Sequence, residues 1–141
     1  MNESHAKRPW GITGLSVFFA LGAGLSFIAW VSLLTPGGPL EPLWDMNPRA
    51  HAALEGTGPA GVTLMSLVSV ACGFATVGLW TGALWGYRTA AALLVLNLLA
   101  EITNVVLGVE RRAIIGVPIL AGLLAFLSTK QVRSYFGAQI P

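Results

Sequence analysis

Long apolar runs separated by short polar stretches follow one another along this chain. A helix needs roughly 20 residues to cross about 30 Å of hydrocarbon, and four runs approach that length: 11–34, 61–80, 87–107 and 113–129. The pattern predicts an all-α, polytopic membrane protein, in which a single domain, residues 1–141, forms a four-helix transmembrane bundle.

The longest connection, residues 35–60, differs from the other connections in composition. It holds five of the chain's eight prolines and three acidic residues. Within it, Asn47 can cap a helix, Pro48 suits a first helical position and Gly56 can end a helix. The sequence therefore predicts a long outer loop that carries a short surface helix.

The fourth apolar run contains Pro118, which leaves two interpretations. Either a short helix begins at Ala113 with the proline in its first turns, or residues 110–116 lie at the membrane interface and the helix proper runs from Val117 into the polar tail. An interior proline removes a hydrogen bond that lipid cannot replace. The second interpretation is therefore favoured.

Basic residues near the span ends predict the orientation, because Lys and Arg accumulate on the cytoplasmic side. With four spans, five basic residues share the side of the termini and three lie opposite: Lys7, Arg8, Arg88, Lys130 and Arg133 against Arg49, Arg111 and Arg112. Both termini are thus predicted to be cytoplasmic. Four aromatic residues map to that same interface as anchors: Trp10, Trp80, Trp85 and Tyr87.

Composition narrows the class of protein. The 141 residues are 55% hydrophobic and 10% charged, whereas soluble domains have roughly 25% charged residues. The basic residues are scattered, so nucleic-acid binding is not expected. The lone cysteine, Cys72, excludes an intramolecular disulfide, and His5 and His51 lie outside the apolar runs, which excludes a bis-histidine haem. We expect a solvated His51, no metal site, no cofactor and no catalytic set.

Small residues recur at helical spacing in the apolar runs. Gly24, Gly78, Gly82 and Gly122 belong to such stripes, and small residues let membrane helices approach closely. The favoured interpretation is packing between helices of this chain. The alternative is self-association or docking to a partner helix.

Three polar side chains interrupt the third apolar run. At about 100° per residue, Asn97, Glu101 and Asn104 share one arc of the predicted helix, opposite an apolar arc: Val95, Leu99, Ile102 and Val106. A carboxylate inside a span is costly unless it is paired, protonated or hydrated, so Glu101 marks a candidate intramembrane polar site.

Two roles stay open for this site. As a polar clamp, it ties the third span to hydroxyls of neighbouring spans, such as Thr13, Ser16 or Thr76. As a proton- or cation-linked binding site, it uses the Glu101 carboxylate, with Arg111 or Arg112 in reach as a partner.

Four segments resemble those of a class of small bacterial four-span membrane proteins with no assigned activity. They are "RPWGIT", "PGGPLEPLW" with the following "NP", "GLWTGALWGY" and "IIGVPI". The resemblance implies a four-span fold in the bacterial cytoplasmic (inner) membrane. It carries no activity with it.

The leading hypothesis is a non-catalytic integral membrane protein that acts as an accessory or assembly subunit of a larger membrane complex. Its partners would be the lipid bilayer and other membrane subunits, or a second copy of the chain. The alternative is a small transporter or lipophile-binding protein that uses Glu101. We do not expect an enzyme.

Overall fold

The computed structural model describes residues 7–108 and 113–137, and all regular structure in them is helical. No strand occurs in these two ranges, so the predicted all-α class is confirmed. In chain order the elements are α1 (Trp10–Leu34), a 3-10 helix (Glu41–Met46), α2 (Pro48–Gly56), α3 (Pro59–Thr81), α4 (Leu84–Val106), α5 (Ala113–Leu127) and α6 (Lys130–Gly137).

Three helices are long and apolar enough to cross a membrane: α1, α3 and α4, with 25, 23 and 23 residues. At 1.5 Å per residue they are about 35–37 Å long, more than the roughly 30 Å of hydrocarbon. The 15 residues of α5 reach only about 22 Å. Joined to α6 across a 53° bend, α5 gives a fourth candidate span. By helix length and hydropathy, the chain is a multi-pass integral membrane protein.

The structure of the fourth apolar run differs from the favoured interpretation of its sequence. α5 begins at Ala113, not at Val117, and contains Pro118 as its sixth residue. The proline lies inside α5 and removes the hydrogen bond that the carbonyl of Ile114 would otherwise accept. The polar tail does not continue α5 but forms α6. Residues 109–112 lie outside the described residues.

Backbone hydrogen bonds close the turn between α3 and α4. The N–H of Gly82 donates to the carbonyl of Leu79 (3.2 Å), and the N–H of Ala83 donates to that of Gly78 (2.8 Å). This pair of bonds is the Schellman motif that ends a helix at a left-handed residue. Gly82 supplies that conformation with φ of +74°, so a tight turn joins the end of α3 to the start of α4.

The chain divides into two compact units. The terminal unit comprises residues 1–19 and 74–141, and the connection unit comprises residues 20–73. The single domain proposed for residues 1–141 stays a prediction. Buried apolar side chains form the core of the terminal unit: Ile12, Leu15, Phe19, Ala75, Leu79, Ala90, Leu94, Leu120, Leu127, Val132 and Phe136.

In the terminal unit, α4 and α5 pack against each other and α6 packs beside them. The hydroxyl of Tyr87 donates to the carbonyl of Leu127 (3.2 Å), which joins the start of α4 to the end of α5. α6 buries Val132 and Phe136, and the Phe136 ring lies 5.2 Å from the Tyr87 ring. The apolar face of α6 therefore packs on the helix ends.

In the connection unit, polar contacts join α1 to the segments that follow it. The hydroxyl of Ser69 in α3 donates to the carbonyl of Ala23 (3.0 Å). The indole N–H of Trp44 donates to the hydroxyl of Ser32 (2.8 Å), which ties the 3-10 helix to α1. The surface helix predicted in this connection is α2, and Asn47 caps it as expected by accepting from the N–H of Ala50.

Candidate functional site

Glu101 lies on the side of α4 that contacts α5. Its side chain is half-buried and crosses Gly116, because a Cβ added to that glycine would lie 3.2 Å from Cδ and 3.3 Å from Oε1 of Glu101. Gly116 is the fourth residue of α5 as described, and its missing side chain leaves room for the Glu101 carboxylate between the two helices. Arg111 and Arg112, the predicted partners, lie outside the described residues.

The two asparagines of the predicted site have different environments. Asn104 is half-buried, whereas Asn97 is exposed and its Nδ2 donates to the carbonyl of Leu93 (2.8 Å) within α4. The buried residues of α4 are Gly86, Ala90 and Leu94, and at about 100° per residue Glu101 and Asn97 each lie about 20° from the middle of this line. Asn97 is therefore exposed although it shares this face of α4 with Glu101.

The predicted hydroxyl partners are partly engaged elsewhere. Ser16 is buried in α1, but its hydroxyl donates to the carbonyl of Ile12 (2.9 Å) in the same helix. A hydroxyl that donates a hydrogen bond to a carbonyl of its own helix is satisfied without a partner helix.

Two of the four predicted packing glycines make close contacts in the terminal unit. A Cβ on Gly78 would overlap the backbone of Gly86, and a Cβ on Gly82 would lie 2.9 Å from the hydroxyl oxygen of Tyr135. By contrast, Gly24 in the connection unit and Gly122 in the terminal unit are exposed, and no described residue of its own unit lies within 4 Å of an added Cβ at either position.

The predicted interface anchors all lie at helix ends of the terminal unit. Trp10 begins α1 and is 93% exposed. Near the end of α3, the Arg8 guanidinium lies 4.7 Å from the centre of the Trp80 ring and donates to the Trp80 carbonyl. Trp85 and Tyr87 lie in the first turn of α4. Aromatic rings and an arginine at helix ends are what a membrane–water interface favours.

A second cluster occupies the connection unit, between the 3-10 helix and α2. Nε2 of His51 lies 3.2 Å from Oε1 of Glu55 and 3.8 Å from Oε1 of Glu41. One ligand atom from each of the three residues lies within 4.8 Å of the other two. An imidazole nitrogen and two carboxylates are the donor types that hold a transition metal ion.

Neighbouring contacts fix two members of this cluster. The His51 ring stacks on Trp44 at 4.6 Å with 8° between the planes, and its side chain is 17% exposed. Oε2 of Glu41 accepts from the N–H of Gly37 (3.2 Å). His51 is therefore a partnered residue, not the solvated one that the sequence suggested.

Comparison of the chain with protein-family models, curated proteins and solved structures found no match. The chain is a small multi-span membrane protein by the length and composition of its helices. Its resemblance to the bacterial four-span class stays a prediction.

Sequence reasoning missed the cluster in the connection unit. The spacing of His51 and Glu55 on α2 puts them on one face of a helix, and this signal was available in the sequence. Glu41 comes ten residues before His51, and only the intervening 3-10 helix brings it back to the imidazole. No periodic pattern in the sequence predicts that Glu41 lies beside His51.

Proposed function

We propose that this chain is a non-catalytic accessory or assembly subunit of a larger membrane complex. It acts by binding other membrane subunits, or a second copy of itself, within the bilayer. The proposal rests on polar and small residues that the helices expose in their apolar parts.

The exposed amide of Asn97 carries the proposal. Asn97 lies two residues past the middle of α4, about 3 Å along the axis, where hydrocarbon surrounds a spanning helix. Its one hydrogen bond to another described residue goes to its own helix, at Leu93. Asparagine side chains form hydrogen bonds between membrane helices, so a partner helix is the environment that suits this amide.

The small-residue stripe of α5 supports the same function. Its members within α5 are all exposed: Pro118, Gly122 and Ala125; Thr129, predicted in the same stripe, is exposed in the bend after α5. Small residues lower the distance at which two helices can pack in lipid. This stripe was expected to pack within the chain, and its exposure makes it a surface on which a partner helix fits.

The bacterial cytoplasmic membrane, with both termini inside, is the proposed setting. Arg8 contacts the end of α3 and Arg88 lies near the start of α4, while Lys130 and Arg133 belong to α6, which packs on the helix ends. Basic residues thus gather at one end of the terminal unit. Such an excess is typical of the cytoplasmic side.

Replacing the Asn97 amide tests the proposal. We expect Asn97→Leu to weaken the assembly by roughly 3- to 10-fold in its dissociation constant, because one interhelical polar contact is lost. Thr103→Val is the matched control, since Thr103 is also exposed on α4 and its hydroxyl donates within the helix to Leu99. The fraction of chain in the assembly is measured by mass after extraction in mild detergent.

The control separates association from a general effect of removing a polar group. Wild type and Thr103→Val should retain the same assembled fraction. Equal fractions in all three proteins would contradict the role of Asn97.

For Glu101 we propose the structural role among the two that the sequence left open. Its carboxylate lies beside Gly116 of the same chain, which supports a role in packing α4 against α5. The alternative, a small transporter or lipophile-binding protein that uses Glu101, predicts that replacing its carboxylate by an amide abolishes function.

A further inference from the structure

We propose that Glu41, His51 and Glu55 form a binding site for one divalent transition-metal ion of the zinc class. The site lies wholly within the connection unit and is independent of the proposed subunit role. It joins the end of α2 to the 3-10 helix that precedes it.

The distances between the donor atoms fit a shared ion. Two ligand atoms bound to zinc at 2.0–2.1 Å in a tetrahedron lie about 3.3 Å apart. Nε2 of His51 is 3.2 Å from Oε1 of Glu55 and 3.8 Å from Oε1 of Glu41. Rotation of the Glu41 side chain, which is 40% exposed, is enough to close the wider gap.

The backbone positions of His51 and Glu55 are fixed before an ion arrives. Asn47 caps α2, and one turn of that helix separates His51 from Glu55, which fixes their spacing. Trp44 stacks on the imidazole and is itself anchored to Ser32 of α1 by its indole N–H. Side chains fixed by neighbouring contacts lose less conformational entropy when they bind a ligand.

The Glu41 carboxylate is positioned by a turn. Gly38 donates from its N–H to the carbonyl of Thr35 (3.0 Å), with Pro36 and Gly37 between them and Gly37 at φ +72°. Proline followed by a residue of positive φ is the requirement of a type II turn. The turn directs the Gly37 N–H to one oxygen of Glu41 and leaves Oε1 for His51 and the ion.

The donor set selects the class of ion. Two carboxylates and a neutral imidazole carry a charge of −2, which matches a divalent cation. Magnesium and calcium take oxygen ligands, whereas an imidazole nitrogen suits zinc and its neighbours among the transition metals. Three protein donors leave a fourth position for water.

Equilibrium dialysis of the full, untagged chain against zinc tests the site. We expect one bound zinc per chain, and a loss of affinity of more than roughly 100-fold in Glu55→Gln and in His51→Gln, since losing a direct ligand costs at least as much as losing a supporting one. Asp45→Asn is the matched control, because Asp45 is an exposed acid of the 3-10 helix outside the cluster, and it should bind zinc as wild type does.

Several results would overturn the proposal. These are no stoichiometric zinc on the wild-type chain, equal binding by all variants, or displacement of zinc by equimolar magnesium. Glu55→Gln keeps the size of an exposed side chain, and helical circular dichroism equal to wild type establishes that its loss of zinc comes from the site.

Discussion

The Glu101 side chain shows how one carboxylate is accommodated on an apolar helix. Its Cγ, Cδ and Oε1 lie over Gly116, where any larger residue would meet them. The absence of a side chain at Gly116 therefore makes room for the carboxylate between α4 and α5.

Substitution of Glu101 distinguishes its structural role from a role in transport. We expect Glu101→Gln to leave stability near wild type, since it keeps the shape, and Glu101→Ala to lower the free energy of unfolding by about 1 kcal/mol, because it removes the packing of a half-buried side chain beside Gly116. Unfolding by sodium dodecyl sulfate, followed by circular dichroism, measures both.

A measurement of proton flux tests the transporter alternative directly. In proteoliposomes under a potassium diffusion potential, wild type and Glu101→Gln should both match protein-free vesicles. A flux that wild type supports and Glu101→Gln abolishes would establish the transporter instead.

At the residue scale, the sequence predicted which side chain is exceptional but not what surrounds it. Glu101 stood out because a carboxylate is rare in an apolar run, and it does lie between helices. Asn97 was placed in the same arc as Glu101, yet its side chain is exposed whereas Glu101 and Asn104 are half-buried. Polarity and helical periodicity place a side chain on one face of a helix, but they do not show which part of that face is covered.

At the scale of elements, α3 and α4 approach each other more closely than side chains would allow. Gly78 and Gly86 are buried, and a Cβ on either would overlap the backbone of the other helix. This close approach lies on either side of the Gly82 turn and involves Gly78, one of the predicted packing glycines.

Filling this contact should separate α3 from α4. We expect Gly78→Ala to lower the free energy of unfolding by about 1–3 kcal/mol, the cost of overpacking a close contact. Gly73→Ala is the matched control in α3, since no described residue of its unit lies within 4 Å of an added Cβ there, and alanine favours helix over glycine.

Detergent-induced unfolding compares the three proteins. The expected order of stability is Gly73→Ala at or above wild type, and Gly78→Ala below it. A Gly78→Ala protein as stable as wild type would mean that the two helices do not meet at Gly78.

The helices followed from the sequence more closely than the α5–α6 segment did. The apolar runs of α1, α3 and α4 are long and end at clear glycine or proline signals, such as Gly82 and Pro59. Pro118 misled the interpretation of α5, because the weight given to its lost hydrogen bond depends on where the helix begins. That start lies among polar residues with no cap signal.

At the scale of the whole molecule, large apolar side chains are exposed on α1, α3, α4 and α5. Leu25, Leu67, Leu96 and Ile115 are each more than 60% exposed. In water such a surface would drive aggregation, whereas in a bilayer lipid covers it. Lipid tails are as apolar as leucine, so an apolar surface binds lipid as well as it binds a protein partner. A preference for a protein partner must therefore come from the exposed Asn97 amide and the α5 stripe.

The mass of the wild-type assembly tests the subunit proposal most directly. The chain is released from its own membrane in mild detergent without a tag and measured by native mass spectrometry. We predict a species heavier than the 14.8 kDa chain, containing a second copy or another membrane subunit. A chain that emerges only as a monomer, with no protein attached, would contradict the proposal.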